Sequence, residues 1–306
     1  MENKDKGDDK YKIKVIDTEK HNIPQKESAK SGIMPRYPFS WLLSGCSGSG
    51  KTNLLLNILT RNEMYGSFFH YIVVFSPTAG TEDDSYKALK LPKENFIKKF
   101  DGAMLQKIID KRKEQIRQKG IAWVGKNSRM LIIMDDVIAD KEFLKSPEAL
   151  KMFTLLRHYL VSIIILLQKY NKLPPALRTN CNAICVFPSK QNEIECLIDE
   201  ITPSMMAKRD FEKVIDYCTK DEYSFLYVNF HAKREDQIRK NLSEILTKED
   251  ILAIAPPKDK KNIKCNSMNE KQKDSSDNNK DSDNDNDDYN DNNEYNTKMN
   301  KNKMSY

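Results

Sequence analysis

Histidine is scarce in this chain. Its four copies in 306 residues, His21, His70, His158 and His231, stand too far apart for a zinc site. The six cysteines (Cys46, Cys181, Cys185, Cys196, Cys218 and Cys265) contain no C-x2-C pair, and no secretory leader opens the sequence. A disulfide framework is therefore not expected, and the reading is a soluble protein of a reducing, intracellular compartment. Long hydrophobic runs are also missing. The longest, Tyr159–Leu167, is about half the roughly 20 residues that cross a bilayer, so no membrane insertion is expected.

Aliphatic residues nearly vanish from Pro256 onward, where the chain reads PPKDKKNIKCNSMNEKQKDSSDNNKDSDNDNDDYNDNNEYNTKMNKNKMSY. Such a segment cannot bury enough apolar surface to offset its ordering entropy, which predicts a disordered tail over 256–306. Residues 1–32 are polar as well, although YKIKVI within them could pair as a strand. The expected folded body is one α/β domain over 33–255. Net charge is +6, and because the tail is acidic the body is more basic than that. A basic body suits a polyanionic partner without requiring one. The Asn/Asp-rich tail is best explained by codon drift in an AT-rich genome.

Glycine is the next scarcity, with ten in the whole chain, yet Gly45, Gly48 and Gly50 fall within six positions of LLSGCSGSGKTNLLLNIL. The spacing Gly45-x4-Gly50-Lys51-Thr52 is that of a phosphate-binding loop. Backbone N–H groups of Gly45, Cys46, Ser47, Gly48, Ser49 and Gly50 would form the nest, aided by the positive end of the following helix. Lys51 would reach the β- and γ-phosphates and the Thr52 hydroxyl would ligate Mg²⁺. Phe39–Ser44 reads as a buried strand and Thr52–Leu59 as a helix, which is the strand–loop–helix context that the motif needs.

Further strands are predicted at His70–Phe75, Arg129–Met134, Val161–Leu167, Asn182–Phe187 and Ser224–Phe230. Helices are predicted at Asp101–Lys119, Pro147–Leu156, Asn192–Ile201 and Glu235–Ile254. Near-continuous apolar strands alternating with helices argue a mostly parallel sheet covered on both faces. LIIMDD then delivers two carboxylates at a strand's C-terminal end, about eighty residues after the glycine loop. Asp135 would hold Mg²⁺ with Thr52, and Asp136 would orient or deprotonate the attacking water. Gln168, at the end of the next strand, would sense the γ-phosphate. That placement is the one the additional-strand P-loop ATPases require. Arg157 and Arg178 are alternative candidates for a finger that completes a neighbouring subunit's site. Thr247-Lys248-Glu249-Asp250 matches a guanine-specificity pattern, but it follows a charged stretch and has no Asp-x-x-Gly partner, so it reads as a helix cap.

MPRYPFSWLLSGCSGSGKTNLL, HYIVVFSPT, LIIMDDV and RHYLVSIIILLQKYNKLPPALRTN, in this order, resemble the genome-packaging ATPases of large DNA viruses, virophages and Polinton-like elements. These belong to the FtsK/HerA branch of P-loop motors, and the similarity covers Met34 to Phe230. The resemblance implies an α/β P-loop fold of the additional-strand type and a homo-oligomeric ring driven by ATP and Mg²⁺. It implies double-stranded DNA, bound without sequence preference, and a capsid or portal-like protein as partners. It places the protein at the viral assembly site in the host cytoplasm or with the virion. Lys169, Lys172, Lys190, Lys208 and Arg209 are candidates for a DNA channel. The alternatives are another FtsK/HerA-type translocase, a nucleotide-gated scaffold with slow turnover and, more weakly, a small-molecule kinase.

Overall fold

The computed structural model describes residues 18–77, 84–98, 102–136, 154–203 and 206–255. The chain divides into two compact units, 1–257 and 258–306, and all of the second, with the expected disordered tail, lies outside the described residues. So do the YKIKVI strand and most of the helix expected at Pro147–Leu156.

Among the described residues nine strands form one sheet: β1 (Ser40–Ser44), β2 (Tyr71–Phe75), β3 (Phe96–Ile97), β4 (Met130–Asp135), β5 (Val161–Leu167), β6 (Ala183–Val186), β7 (Leu226–Asn229), β8 (Ile238–Lys240) and β9 (Glu244–Ile245). Their order is β3-β2-β4-β5-β1-β6-β7-β8-β9. The first six in that order run parallel, and β7, β8 and β9 each pair antiparallel with the strand before. The helices are α1 (Glu27–Lys30), α2 (Lys51–Thr60), α3 (Gly102–Lys119), α4 (Ile121–Asn127), α5 (Pro175–Arg178), α6 (Gln191–Ile201), α7 (Lys208–Thr219) and α8 (Lys248–Ile254).

The unbroken apolar runs are explained by burial on both faces. Strand side chains alternate, so Leu42, Ile132 and Ile163 join one core while Trp41, Leu43, Ile133 and Ile164 join the other. The first core is closed by Leu105 and Ile109 of α3, Leu197 of α6 and Phe211 and Val214 of α7. The second is closed by Leu55 and Ile58 of α2, Val124 of α4 and the segment from Ile23 to Phe39. Ile23 and Ala29 are buried, so the packed body begins earlier than the expected boundary at residue 33.

The long helix expected over Glu235–Ile254 is the main correction. Asn241 takes a left-handed turn (φ 55°), and its side-chain oxygen accepts the Phe225 N–H at 3.1 Å. This turns the chain into a short β8–β9 ribbon, with Arg239 and Lys240 buried on β8. Apart from a single 3-10 turn at Arg234–Asp236, only Lys248–Ile254 is helical, and it starts at a Thr247–Asp250 capping box, in keeping with the cap rather than the nucleotide motif. Helix α7 is an addition to the expected elements, although Phe211, Val214, Ile215 and Cys218 recur at helical spacing.

Strand β5 is hydrogen-bonded to β4 on one side and β1 on the other, and all seven of its residues are buried. Ile164→Ala is expected to lower unfolding stability by about 2–5 kcal/mol, the usual cost of truncating a core isoleucine. A fall in urea midpoint at unchanged slope checks it.

Candidate active site

The parallel strands all end at one edge, and four of those ends meet. The glycine loop after β1 is tied to both neighbours: Gly45 N–H donates to the Leu167 carbonyl at 3.0 Å and Cys46 N–H to the Pro188 carbonyl at 3.1 Å. Gly45 has no room for a side chain, since a Cβ there would lie 2.4 Å from the Phe187 Cβ. Gly50, at φ 103°, caps α2 in a conformation that L side chains rarely adopt. A cavity of about 450 Å³ opens over this loop. Ser47, Gly48, Ser49, Gly50, Lys51 and Thr52 line it, together with Asp135, Asp136 and Gln168.

The Lys51 ammonium is buried and donates to the Gly45 carbonyl at 2.8 Å and the Cys46 carbonyl at 2.7 Å. Burial lowers its pKa, against the opposing pull of Asp135, Cys46 and Asp136. Asp136 follows β4 with φ 52°, and its N–H reaches the Leu166 carbonyl of β5 at 3.4 Å. Desolvation raises the Asp136 pKa and Lys51 moderates that rise. Lysine and acid thus each lose solvation and each favour the other's charge. The Ser49 hydroxyl, buried and without a partner among the described residues, adds a donor beside the loop. Hard oxygen donors from Thr52 and Asp135 on one cavity suit Mg²⁺, which takes one or two protein oxygens and otherwise water and phosphate. Among the described residues no cluster of three or more His, Cys, Asp or Glu offers a separate metal site.

Gln168 leaves β5 exposed on the cavity wall beside the acid pair. The two arginines lie elsewhere. Arg157 is exposed in the short helical turn before β5, at the opposite edge of the sheet from its own loop. Arg178 is enclosed. Its guanidinium is buried, pairs with Glu200, donates to the Tyr170 carbonyl at 3.2 Å and lies 4.8 Å from the Tyr170 ring centroid. A cation so enclosed ties the turn between β5 and β6 to α6.

One residue has no signal in the sequence. Tyr86, 2% exposed in a short helical segment after β2, donates its hydroxyl to Asp135 Oδ2 at 2.6 Å. It fixes the carboxylate that the metal reading uses, but it sits in an ordinary polar stretch, and only the fold brings it to β4.

A strand order that inserts β5 between the glycine-loop strand and the acid-pair strand, with Gln168 at its tip, defines an additional-strand P-loop nucleoside triphosphatase. The chain belongs to the poxvirus A32 protein family, whose model matches residues 29–237. It is 24% identical over 191 residues to uncharacterized protein 075L of invertebrate iridescent virus 6, covering 62% of this chain and 69% of that one. It is 28% identical over 179 residues to DNA packaging protein OPG160 of vaccinia virus (strain Copenhagen), covering 57% of this chain and 62% of the vaccinia protein. Among solved structures, the genome packaging NTPase B204 of Sulfolobus turreted icosahedral virus 2, in complex with AMP, aligns at TM-score 0.45 and 16% identity, over 67% of this chain and 96% of B204. Among the described residues no helix is long and apolar enough to cross a membrane.

If Asp135 holds Mg²⁺, Tyr86→Phe is expected to lower activity or Mg²⁺ affinity by about 10- to 100-fold, as loss of a ligand's supporting hydrogen bond typically does. A Mg²⁺ titration of turnover, with Tm recorded alongside, separates this from a loss of folding. If Asp136 is the general base, its raised pKa in the free protein puts the acid limb of kcat/KM above the ordinary aspartate value of about 3.9, with activity lost as pH falls through that limb. A pH–rate profile checks the limb.

Proposed function

We propose that this chain is an ATP-hydrolysing motor that moves double-stranded DNA into a preformed viral capsid. The observation that carries the reading is the convergence of Lys51 and Thr52, the acid pair Asp135–Asp136 and Gln168 on one cavity. Membership of the A32 family and likeness to a vaccinia DNA packaging protein give that hydrolysis its work.

In this reading the loop amides, Lys51 and Ser49 hold the triphosphate. Thr52 and Asp135 hold Mg²⁺, which supplies charge neutralisation on the β- and γ-phosphates. Asp136 accepts a proton from the attacking water as the bond from the γ-phosphorus to the β–γ bridging oxygen breaks and ADP leaves. Gln168 orients that water or reads the γ-phosphate. With Arg178 enclosed, Arg157 is the finger. Its place at the far edge of the sheet suits action on the next copy in a homo-oligomeric ring rather than on its own loop. DNA is bound through its phosphates without sequence preference, and the capsid is met at the assembly site in the infected cell. All five candidate channel cations are exposed, and of these Lys208 is paired with Asp199 at 2.7 Å and Arg209 with Asp210 at 3.3 Å.

The steady-state ATPase rate, measured with and without linear double-stranded DNA, tests the proposal. DNA should stimulate turnover, rising salt should weaken the stimulation, and Lys51→Ala and Asp136→Asn should each abolish it. Tight ATP binding with negligible turnover, indifferent to DNA, would instead establish a nucleotide-gated scaffold. Arg157→Ala should cut turnover by about 10³-fold or more with ATP affinity retained.

A further inference from the structure

The glycine loop has two sides, and the nucleotide chemistry described above uses one of them. On the other side lies a trough of about 400 Å³ that shares Ser47, Gly48 and Ser49 with the first cavity. Its far wall is Pro188, Ser189 and Lys190, which follow β6, and Glu222 and Tyr223, which precede β7. The strand order explains the division, because β5 and β4 lie to one side of β1 and β6 and β7 to the other. The acid pair and Gln168 mark where the γ-phosphate must be, so the nucleoside end of the same molecule leaves toward β6 and β7.

Tyr223 stands at that exit. It is 60% exposed, an unusual place for a large aromatic ring, and its φ of 59° is left-handed. That conformation is a genuine outlier for a bulky side chain. The turn holding it is fixed on both flanks: Ser224 N–H and Oγ both donate to the Asp221 carbonyl, at 3.1 and 2.6 Å, and Lys240 Nζ meets Asp221 Oδ2 at 2.5 Å. The Tyr223 ring stands beside the loop, with Cδ1 3.4 Å from the position a Gly50 Cβ would take. A strained, exposed aromatic ring held against a phosphate loop is a stacking surface for a planar ligand. The size of the trough also suits a small ligand.

We infer that Tyr223, with Pro188 on the same wall of the trough, is the nucleobase platform of this site, taking the base of the triphosphate whose phosphates the loop holds. The inference rests on the nucleotide reading given above and adds to it the residue that makes the site select nucleotides over bare polyphosphate.

Isothermal titration with a non-hydrolysable ATP analogue and with inorganic tripolyphosphate, each with Mg²⁺, tests it on the full chain. Tyr223→Asn removes the ring but tolerates the left-handed backbone, and Tyr223→Phe keeps the ring. The asparagine variant should bind the analogue about 5- to 150-fold more weakly, the range that loss of one aromatic–base stack gives. It should bind tripolyphosphate as the unaltered protein does and melt no lower. The phenylalanine variant should bind both ligands normally. Unchanged analogue affinity in Tyr223→Asn overturns the inference, and so does an equal loss for both ligands, which would make Tyr223 a prop for the loop. If the unaltered protein binds tripolyphosphate and the analogue equally well, there is no base subsite, although the phosphate site stands. If it binds neither, the nucleotide reading falls and takes this inference with it.

Discussion

The site depends on how tightly the glycine loop is held between two strands that are not its own. One backbone bond ties Gly45 to the end of β5 and another ties Cys46 to the residue after Phe187. The wall at Phe187 leaves no space for a Cβ at Gly45. Phe187 is itself buried and packs against Phe225, just before β7, with ring centroids 4.8 Å apart and the planes tilted by 35°. The loop therefore inherits the rigidity of four neighbouring strands, and its amides are set before any ligand arrives. Preorganisation of this kind is costly to build from loops alone but follows directly when strand ends supply it.

Electrostatics reinforces that geometry. Taking Lys51 out of water lowers its pKa, and taking Asp136 partly out raises its own, while each favours the other's charged form. A polyphosphate entering the cavity would supply Lys51 with a stronger partner than the two loop carbonyls it now faces. Asp135 is governed differently. Its carboxylate is gripped by a buried phenol, which fixes its orientation. Two adjacent acids on one strand end therefore have distinct physical surroundings, which suits the ligand-holding and proton-handling roles proposed for them.

Legibility in the sequence follows sequence distance. The loop, its helix and the acid pair are contiguous motifs backed by apolar runs, and each lies within a residue or two of its expected place. Even the order β4-β5-β1 is implicit in the sequence, because Gln168 follows a buried strand placed after the acids. Long-range partnership is what a linear reading misses. Tyr86 reaches Asp135 across 49 residues, and Arg178 reaches Glu200 across 22, so neither the tyrosine's importance nor the arginine's captivity has a local signature. The β8–β9 ribbon escapes for a different reason. A charged stretch resembles a solvated helix, and the buried state of Arg239 and Lys240 is set by tertiary contacts rather than propensity. Helix α7, by contrast, has its apolar period in plain view.

Among the described residues the two ends of the sheet are closed by strands of only two residues, β3 and β9. Short terminal strands present few unpaired amides and so give a second copy almost nothing to zip onto. Self-association of this chain by running sheets together is thus disfavoured by construction. In a ring of the kind proposed above, copies would meet through side chains on helices, strand ends and loops rather than through a shared sheet. Such contacts could be broken and remade as the cavity's contents change, whereas a shared sheet would lock the copies together permanently.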